Sequence, residues 1–214
     1  MHYEITDAKA QDHPAIDALA VEGWQVLKSG YAPEKWESLL LAIGGMSKLS
    51  ENGRLIVARN SETILGVVAY LPPNASDPVV FPEGWPSIRM LVTRPAYRNM
   101  GIGRRLMEAC IARAKQDGSA CIGLHTSPIM TVALPLYLRM GFVKDRDLEP
   151  FAGAPYARYV LYLRGKDRVC GLPRRCNQVP LSGSFMPLSR STLTTRVWNA
   201  VYHFSRPSRC AFWW

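Results

Sequence analysis

A chain of 214 residues and 23.9 kDa with 48% hydrophobic residues is long enough for one globular domain with a real core, and its longest apolar stretch, Ile64 to Leu71, is too short to cross a bilayer. The formal net charge of +9 is unevenly placed: residues 165–214 hold eight basic side chains and one acid, Asp167, which leaves only +2 on residues 1–164 and removes the argument for a nucleic-acid-binding body. The segment Met1 to Asp7 has no basic region followed by an apolar run, so no secretory signal is expected, and the five cysteines are odd in number and lack zinc-type pairing, which makes a reducing cytoplasm the expected compartment.

In chain order, Tyr3 to Thr6 predict a short strand, and Asp12 with Pro14 starts a helix running to about Leu27, with Ile16, Leu19, Ala20, Gly23 and Leu27 on one face. A second helix begins near Pro33, carries Trp36, Leu39, Leu40 and Ile43 at helical spacing, and stops at Gly44-Gly45. Arg54 to Ala58 and Ile64 to Leu71 predict an antiparallel hairpin across the polar turn Arg59 to Glu62. From Pro72 to Pro86 five prolines enforce a loop, because proline cannot supply ladder hydrogen bonds. Beyond it the pattern gives a strand at Ile88 to Val92, a turn at Thr93 to Met100, a helix at Ile102 to Asp117 ended by Gly118, and a strand at Cys121 to Leu124. A shorter helix at Met130 to Met140 stops at Gly141, and Phe142 to Val143 and Arg158 to Leu163 supply the last strands. This order gives a mixed α/β sheet with a βαβ unit in its middle. After Leu163 periodicity fades, so residues 1–164 are read as one folded domain and residues 165–214 as a basic, Ser/Pro/Arg-rich tail of poor intrinsic order.

The chemistry-bearing feature is the loop Arg98-Asn99-Met100-Gly101-Ile102-Gly103 at the start of a helix. A loop that wraps a phosphate needs unpaired backbone N–H groups, and the first turn of a helix supplies them. Gly101 and Gly103 clear the approach, Ile102 anchors in the core, and Arg98 and Arg104 add charge. Alone, two glycines leave a tight turn and phosphate binding both open, whereas a dinucleotide fold is disfavoured because Leu106 stands where its third glycine would be. The helix behind the loop is amphipathic, with Ile102, Leu106 and Cys110 in one row and Arg104, Glu108 and Lys115 opposite.

The run Arg89 to Arg104 resembles the cofactor motif of the GNAT superfamily of N-acetyltransferases, Gln/Arg-x-x-Gly-x-Gly/Ala, and Ala133-Leu134-Pro135-Leu136-Tyr137-Leu138-Arg139-Met140-Gly141-Phe142 is similar to that family's Leu-Tyr-x-x-x-Gly-Phe segment. The resemblance covers roughly residues 3–163, and its strongest part runs from Ile88 to Phe142. It implies a mixed, mostly antiparallel central sheet with flanking helices and a splayed central strand pair. It also implies an acetyltransferase with acetyl-coenzyme A as co-substrate, moving acetyl to a primary amine by direct attack in a ternary complex. By the same resemblance, backbone groups of Leu91 and Val92 meet the pantetheine arm and the thioester oxygen. Arg98, Asn99, Met100, Gly101, Ile102, Gly103 and Arg104 hold the pyrophosphate, and Tyr137 is the acid that protonates the departing thiolate.

An amine nucleophile must be neutral, while an unperturbed lysine-like amine has a pKa near ~10.4, so a base is required. Where many relatives carry a glutamate, this sequence reads Pro86-Ser87-Ile88-Arg89. His125, or water relayed from Glu22 or Glu83, are the alternatives. Two more departures are Met130, in place of a cofactor-touching asparagine, and Pro135 within a helix. Acceptor recognition is expected from the first two helices and the proline-rich loop, which supply Trp24, Tyr31, Trp36, Phe81 and Trp85. The expected partners are a small-molecule or peptide amine and, as an allowed arrangement, a second copy in a homodimer; no nucleic acid, membrane or metal is expected. A coenzyme A-binding sensor without efficient chemistry is the competing reading.

Overall fold

The computed structural model describes residues 2–61 and 63–163; the tail predicted for residues 165–214 lies outside the described residues. Seven strands form one sheet: β1 (Glu4–Asp7), β2 (Arg54–Arg59), β3 (Ile64–Leu71), β4 (Ser87–Thr93), β5 (Cys121–Thr126), β6 (Val143–Phe151) and β7 (Ala154–Tyr162). Their spatial order is β1-β2-β3-β4-β5-β7-β6, and every neighbouring pair is antiparallel except β4 and β5. That parallel pair requires a crossover, which the longest helix provides.

The helices are α1 (His13–Trp24), α2 (Pro33–Ile43), α3 (Ile102–Gln116) and α4 (Ala133–Arg139). Each face of the sheet has its own core. Ile16, Leu19, Trp24, Trp36 and Ile43 of α1 and α2 pack on Val57, Val67, Ala69 and Val92. On the other face Ile102, Leu106, Cys110 and Tyr137 of α3 and α4 pack on Ile56, Leu65, Val68 and Ile88. Strand β3 feeds both cores and is buried at every position, as a central strand covered on both faces must be. Two glycines allow the close layers. A Cβ at Gly23 of α1 would sit 2.3 Å from Val92 Cγ1, and one at Gly66 of β3 would sit 3.0 Å from Ile102 Cγ2.

The predicted fold class holds, and several boundaries change: β7 begins at Ala154, four residues before the predicted Arg158, and β5 runs on to Thr126. Strand β6 is much longer than the predicted Phe142 to Val143, and Phe142 itself packs in the core outside any strand. Its sequence, Val143-Lys144-Asp145-Arg146-Asp147-Leu148-Glu149-Pro150-Phe151, lacks apolar alternation because it is an exposed edge, kept polar and interrupted by two register shifts. Helix α4 begins three residues later than predicted, so Pro135 falls in its first turn, where a missing N–H costs nothing. Helix α1 ends at Trp24 and gives way to a 3-10 segment from Gln25 to Gly30.

The proline-rich loop is pinned. Phe81 and Trp85 are buried against Cys121 and Val160, and the Phe81 ring lies where Gly123 has no Cβ, at 2.8 Å from its ideal position. Arg158 locks this arrangement: its Nη1 donates to the Val80 carbonyl at 2.7 Å, its guanidinium lies 5.2 Å from the Trp85 ring centre, and it pairs with Asp145.

Candidate active site

The parallel pairing of β4 with β5 is limited to Ser87 with Gly123 and Ile88 with Leu124. Past these residues both strands continue without bonding to each other, and the sheet opens. The cause lies in β4. Against β3, Val92 faces Val67 and Arg89 faces Ala69, so Met90 and Leu91 together stand opposite Val68. This is a bulge, and Met90 takes up its strain with a φ of 54° in the left-handed region. A bulge bends its strand, and here the bend leaves the β5-facing edge of residues 90–92 without a strand partner.

The opening widens into a cleft of about 750 Å3. One wall is β4 and the loop that follows it, the other is β5 and α4, and one side is closed by Gly23 and Trp24 of α1 with Leu27 of the 3-10 segment. Of the residues predicted for the site, Leu91, Val92, Arg98, Asn99, Gly101, Ile102, Gly103, Arg104 and Tyr137 all line it. Met100 is not among the lining residues, and its side chain is 46% exposed.

At one end of the cleft stands the N-terminus of α3. Its N-cap is Gly101, at φ 77°, with no side chain to satisfy the first-turn N–H groups. A Cβ at Gly101 would meet no protein atom within 4 Å, so the space over the helix end is open. At Gly103 a Cβ would lie 3.6 Å from both Leu136 Cδ2 and Thr93 Oγ1, narrowing the passage between the two walls. The first turn carries Arg104 and no acid, the wrong sign for the helix dipole on its own and the right sign for an anion seated there. Arg98 is tethered by its Nη2 to the Gly23 carbonyl at 3.4 Å, and Arg104 pairs with Glu108 at 2.9 Å across an exposed turn. The residues therefore suit a phosphate-bearing group at this end.

Tyr137 of α4 lines the cleft, 6% exposed, with its ring 6.1 Å from that of Phe142. Burial, reinforced by Cys110, pushes its phenol well above the ordinary value of 10.0, so it keeps its proton throughout the neutral range. His125 lines the cleft at the end of β5, between Phe81 at 6.0 Å and Tyr156 at 5.7 Å, and its enclosed Nδ1 has no hydrogen-bond partner among the described residues. Burial, helped by the charge of Arg89, pulls it down from 6.5 to about 3. His125, one of the alternatives for the base, is therefore a neutral ring near pH 7. Glu22 pairs with Arg94 at 2.7 Å, Glu83 sits exposed in the proline-rich loop, and neither lines the cleft. Among the described residues the lining contains no carboxylate at all.

The aromatic residues expected to meet the acceptor divide. Trp24 lines the cleft, whereas Tyr31, Trp36, Phe81 and Trp85 are buried elsewhere in the core. Tyr156 and Arg89, to which the sequence assigns no role, also line the cleft. Tyr156 reaches the cleft from β7 and shares a 2.6 Å hydrogen bond with the Tyr31 hydroxyl, and Arg89 reaches it from β4. The apolar pattern around Arg89 was the only available signal, since an arginine inside a buried strand must have a reason to be there.

Comparison with known proteins agrees with this geometry. The model of the "Acetyltransferase (GNAT) family" matches residues 13–142. A Xenopus tropicalis protein described as "Probable N-acetyltransferase camello" is 32% identical over 135 residues, covering 62% of this chain and 59% of that protein. "N-acetyltransferase 8F1" of Rattus norvegicus is 32% identical over 100 residues, covering 46% and 43% of the two chains. The chain thus spans about half the length of these relatives. In structure, a GNAT family acetyltransferase from Brucella melitensis, crystallised in complex with acetyl-CoA, superposes with a TM-score of 0.52 at 19% identity, covering 76% of this chain and 89% of that one.

Proposed function

This chain belongs to the GNAT acetyltransferase family, and from that premise we propose that it moves an acetyl group from acetyl-coenzyme A to a primary amine by direct attack within a ternary complex. The observation that carries the proposal is the cleft itself, in which the parted strands β4 and β5 bring bulged backbone, a helix N-terminus and a protonated phenol to one passage.

Acetyl-coenzyme A, present in the related Brucella melitensis structure, supplies an activated thioester. The residues here suit it along its length. The α3 N-terminus with Gly101, Gly103, Arg98 and Arg104 would hold the pyrophosphate, and the free edge of Leu91 and Val92 would take the pantetheine arm and polarise the acyl oxygen. In the transfer the amine nitrogen bonds to the acyl carbon, the carbon–sulfur bond breaks, the nitrogen loses one proton and the sulfur gains one. Tyr137 is the residue suited to giving that proton, because it lines the passage and is held protonated. The proton lost by the amine would leave through water, since the neutral His125 is a poor acceptor.

The test is coenzyme A thiol release with purified protein, acetyl-coenzyme A and a panel of primary amines. Amine-dependent release that follows saturation kinetics is expected. Tight acetyl-coenzyme A binding with no turnover on any amine would favour a coenzyme A sensor instead.

A further inference from the structure

Two arginines of the described residues are buried in the sheet, each 6% exposed, and they differ sharply in company. Arg158 is saturated by the Asp145 carboxylate, the Val80 carbonyl and the face of Trp85. Arg89 has none of this. No carboxylate lies within 4.0 Å of its guanidinium, which makes no side-chain hydrogen bond to any described residue and faces the cleft. The one carboxylate that acts on it, Asp77, does so from beyond ion-pair distance while receiving the Val79 N–H at 2.9 Å. An unpaired buried cation is expensive to keep, and a protein retains one where a ligand completes it.

Arg89 opens on the cleft, on the strand immediately before the bulge formed by Met90 and Leu91. Its charge acts on His125 and on Tyr156, so the three groups form one polar cluster, completed by the Tyr31 hydroxyl on that of Tyr156. The enclosed His125 Nδ1, also without a partner, belongs to the same cluster. It lies at the opposite end of β4 from the α3 N-terminus, and so away from the place suited to phosphate. Around it Trp24, Leu27, Ile129 and Met130 give the cleft apolar walls. With no carboxylate in the lining, a polycation finds no partner here, while an anion finds a desolvated guanidinium.

We propose that the acceptor is an amine that also carries a carboxylate, as a free amino acid does, and that Arg89 is the residue that receives this carboxylate. The inference rests on the acetyl-transfer reading and adds a substrate class to it. A planar guanidinium takes a carboxylate through two parallel hydrogen bonds, which fixes orientation as well as affinity. Arg89 is thus a specificity residue that aims the amine end of the acceptor toward Val92 and Tyr137.

The experiment compares each amino acid of an apolar set with its primary amide and its decarboxylated amine in the thiol-release assay, for wild type, Arg89→Met and Arg89→Lys. In wild type kcat/KM should favour the carboxylate by about thirtyfold or more over both neutral analogues. Arg89→Met should erase that preference while acetyl-coenzyme A affinity, read by calorimetry, stays within about twofold; Arg89→Lys should keep part of it. A melting temperature that does not fall in Arg89→Met is also expected, because an unpaired charge is removed. Equal use of amino acids and their decarboxylated amines by wild type overturns the inference and leaves acetyl transfer standing. So does a large fall in melting temperature with preferences unchanged, which makes Arg89 structural. If no amine is turned over, acetyl transfer fails, and calorimetric titration of the same amino acids onto the coenzyme A-bound protein decides: binding lost in Arg89→Met upholds the site, and no binding removes it.

Discussion

Two side chains in the cleft have opposite proton affinities for the same reason. Burial disfavours the charged form, so the Tyr137 phenol is pushed up and the His125 imidazole is pulled down to about 3. Each is left neutral, one holding a proton and one without it. If the phenol is the acid, Tyr137→Phe should lower kcat by ~10² or more with acetyl-coenzyme A affinity unchanged, since the ring and its packing on Phe142 survive; wild-type turnover would return the residue to a packing role. For His125 the pH dependence decides. A folded-state value below the unfolded one means that the unfolded chain binds the extra proton as pH falls below 6.5. Stability should therefore decline from pH 6.5 toward about 3 and be fully present above 6.5. His125→Gln should flatten that decline in a series of denaturant titrations, and the acid limb of kcat/KM should be the same in both proteins. A limb near pH 6.5 that vanishes in the variant would restore His125 as the base.

Helix α3 shows how an element can be built for a ligand at some cost to itself. Its first turn holds Arg104 and Arg105 and no acid, and its N-cap is a left-handed glycine that caps nothing. Aspartate tolerates the left-handed region better than most residues and suits the dipole, so Gly101→Asp should change stability by less than about 1 kcal/mol. A carboxylate and a phosphate charge ~5 Å apart repel by about 3 kcal/mol at an effective dielectric of 20, so an anion seated on this helix end would be strongly disfavoured. Acetyl-coenzyme A binding should fall more than a hundredfold in calorimetry while the melting curve barely moves. Unchanged affinity would remove this helix end as the phosphate site. This loop was legible in the sequence because glycine spacing, helical periodicity and the Tyr137 segment are all local patterns. What was illegible is non-local. The bulge at Met90 depends on how β4 registers against β3, and methionine gives no hint of a positive φ. The parting of β4 from β5 follows from that bulge. The length of β6 was hidden by its exposure, and the isolation of the Arg89 side chain became visible only once the carboxylates of the described residues had positions.

At the scale of the molecule, the sheet is two blocks, β1 to β4 and β5 to β7, joined along β4 and β5 by two paired positions and bridged by α3. Each block carries one wall of the cleft: Leu91, Val92 and the glycine loop on the first, His125 and Tyr137 on the second. Anything that fills the cleft therefore ties the blocks together, and its binding free energy appears as resistance to their separation. With acetyl-coenzyme A at a hundredfold its dissociation constant the gain is about 2.7 kcal/mol, or roughly 5–10 °C in melting temperature for a domain of this size. Hydrogen exchange should locate it. Amides of residues 90–92, of the first turn of α3 and of α4 should slow, whereas the exposed edge β6, which pairs only with β7, should exchange as before. Adenosine 3′,5′-bisphosphate, which lacks the pantetheine arm and so reaches only the α3 end, should slow the helix turn and leave α4 untouched. Protection of α4 by that fragment would mean that the two blocks already move as one, and the cleft would then be a fixed groove in which the ligand gains nothing by joining its walls.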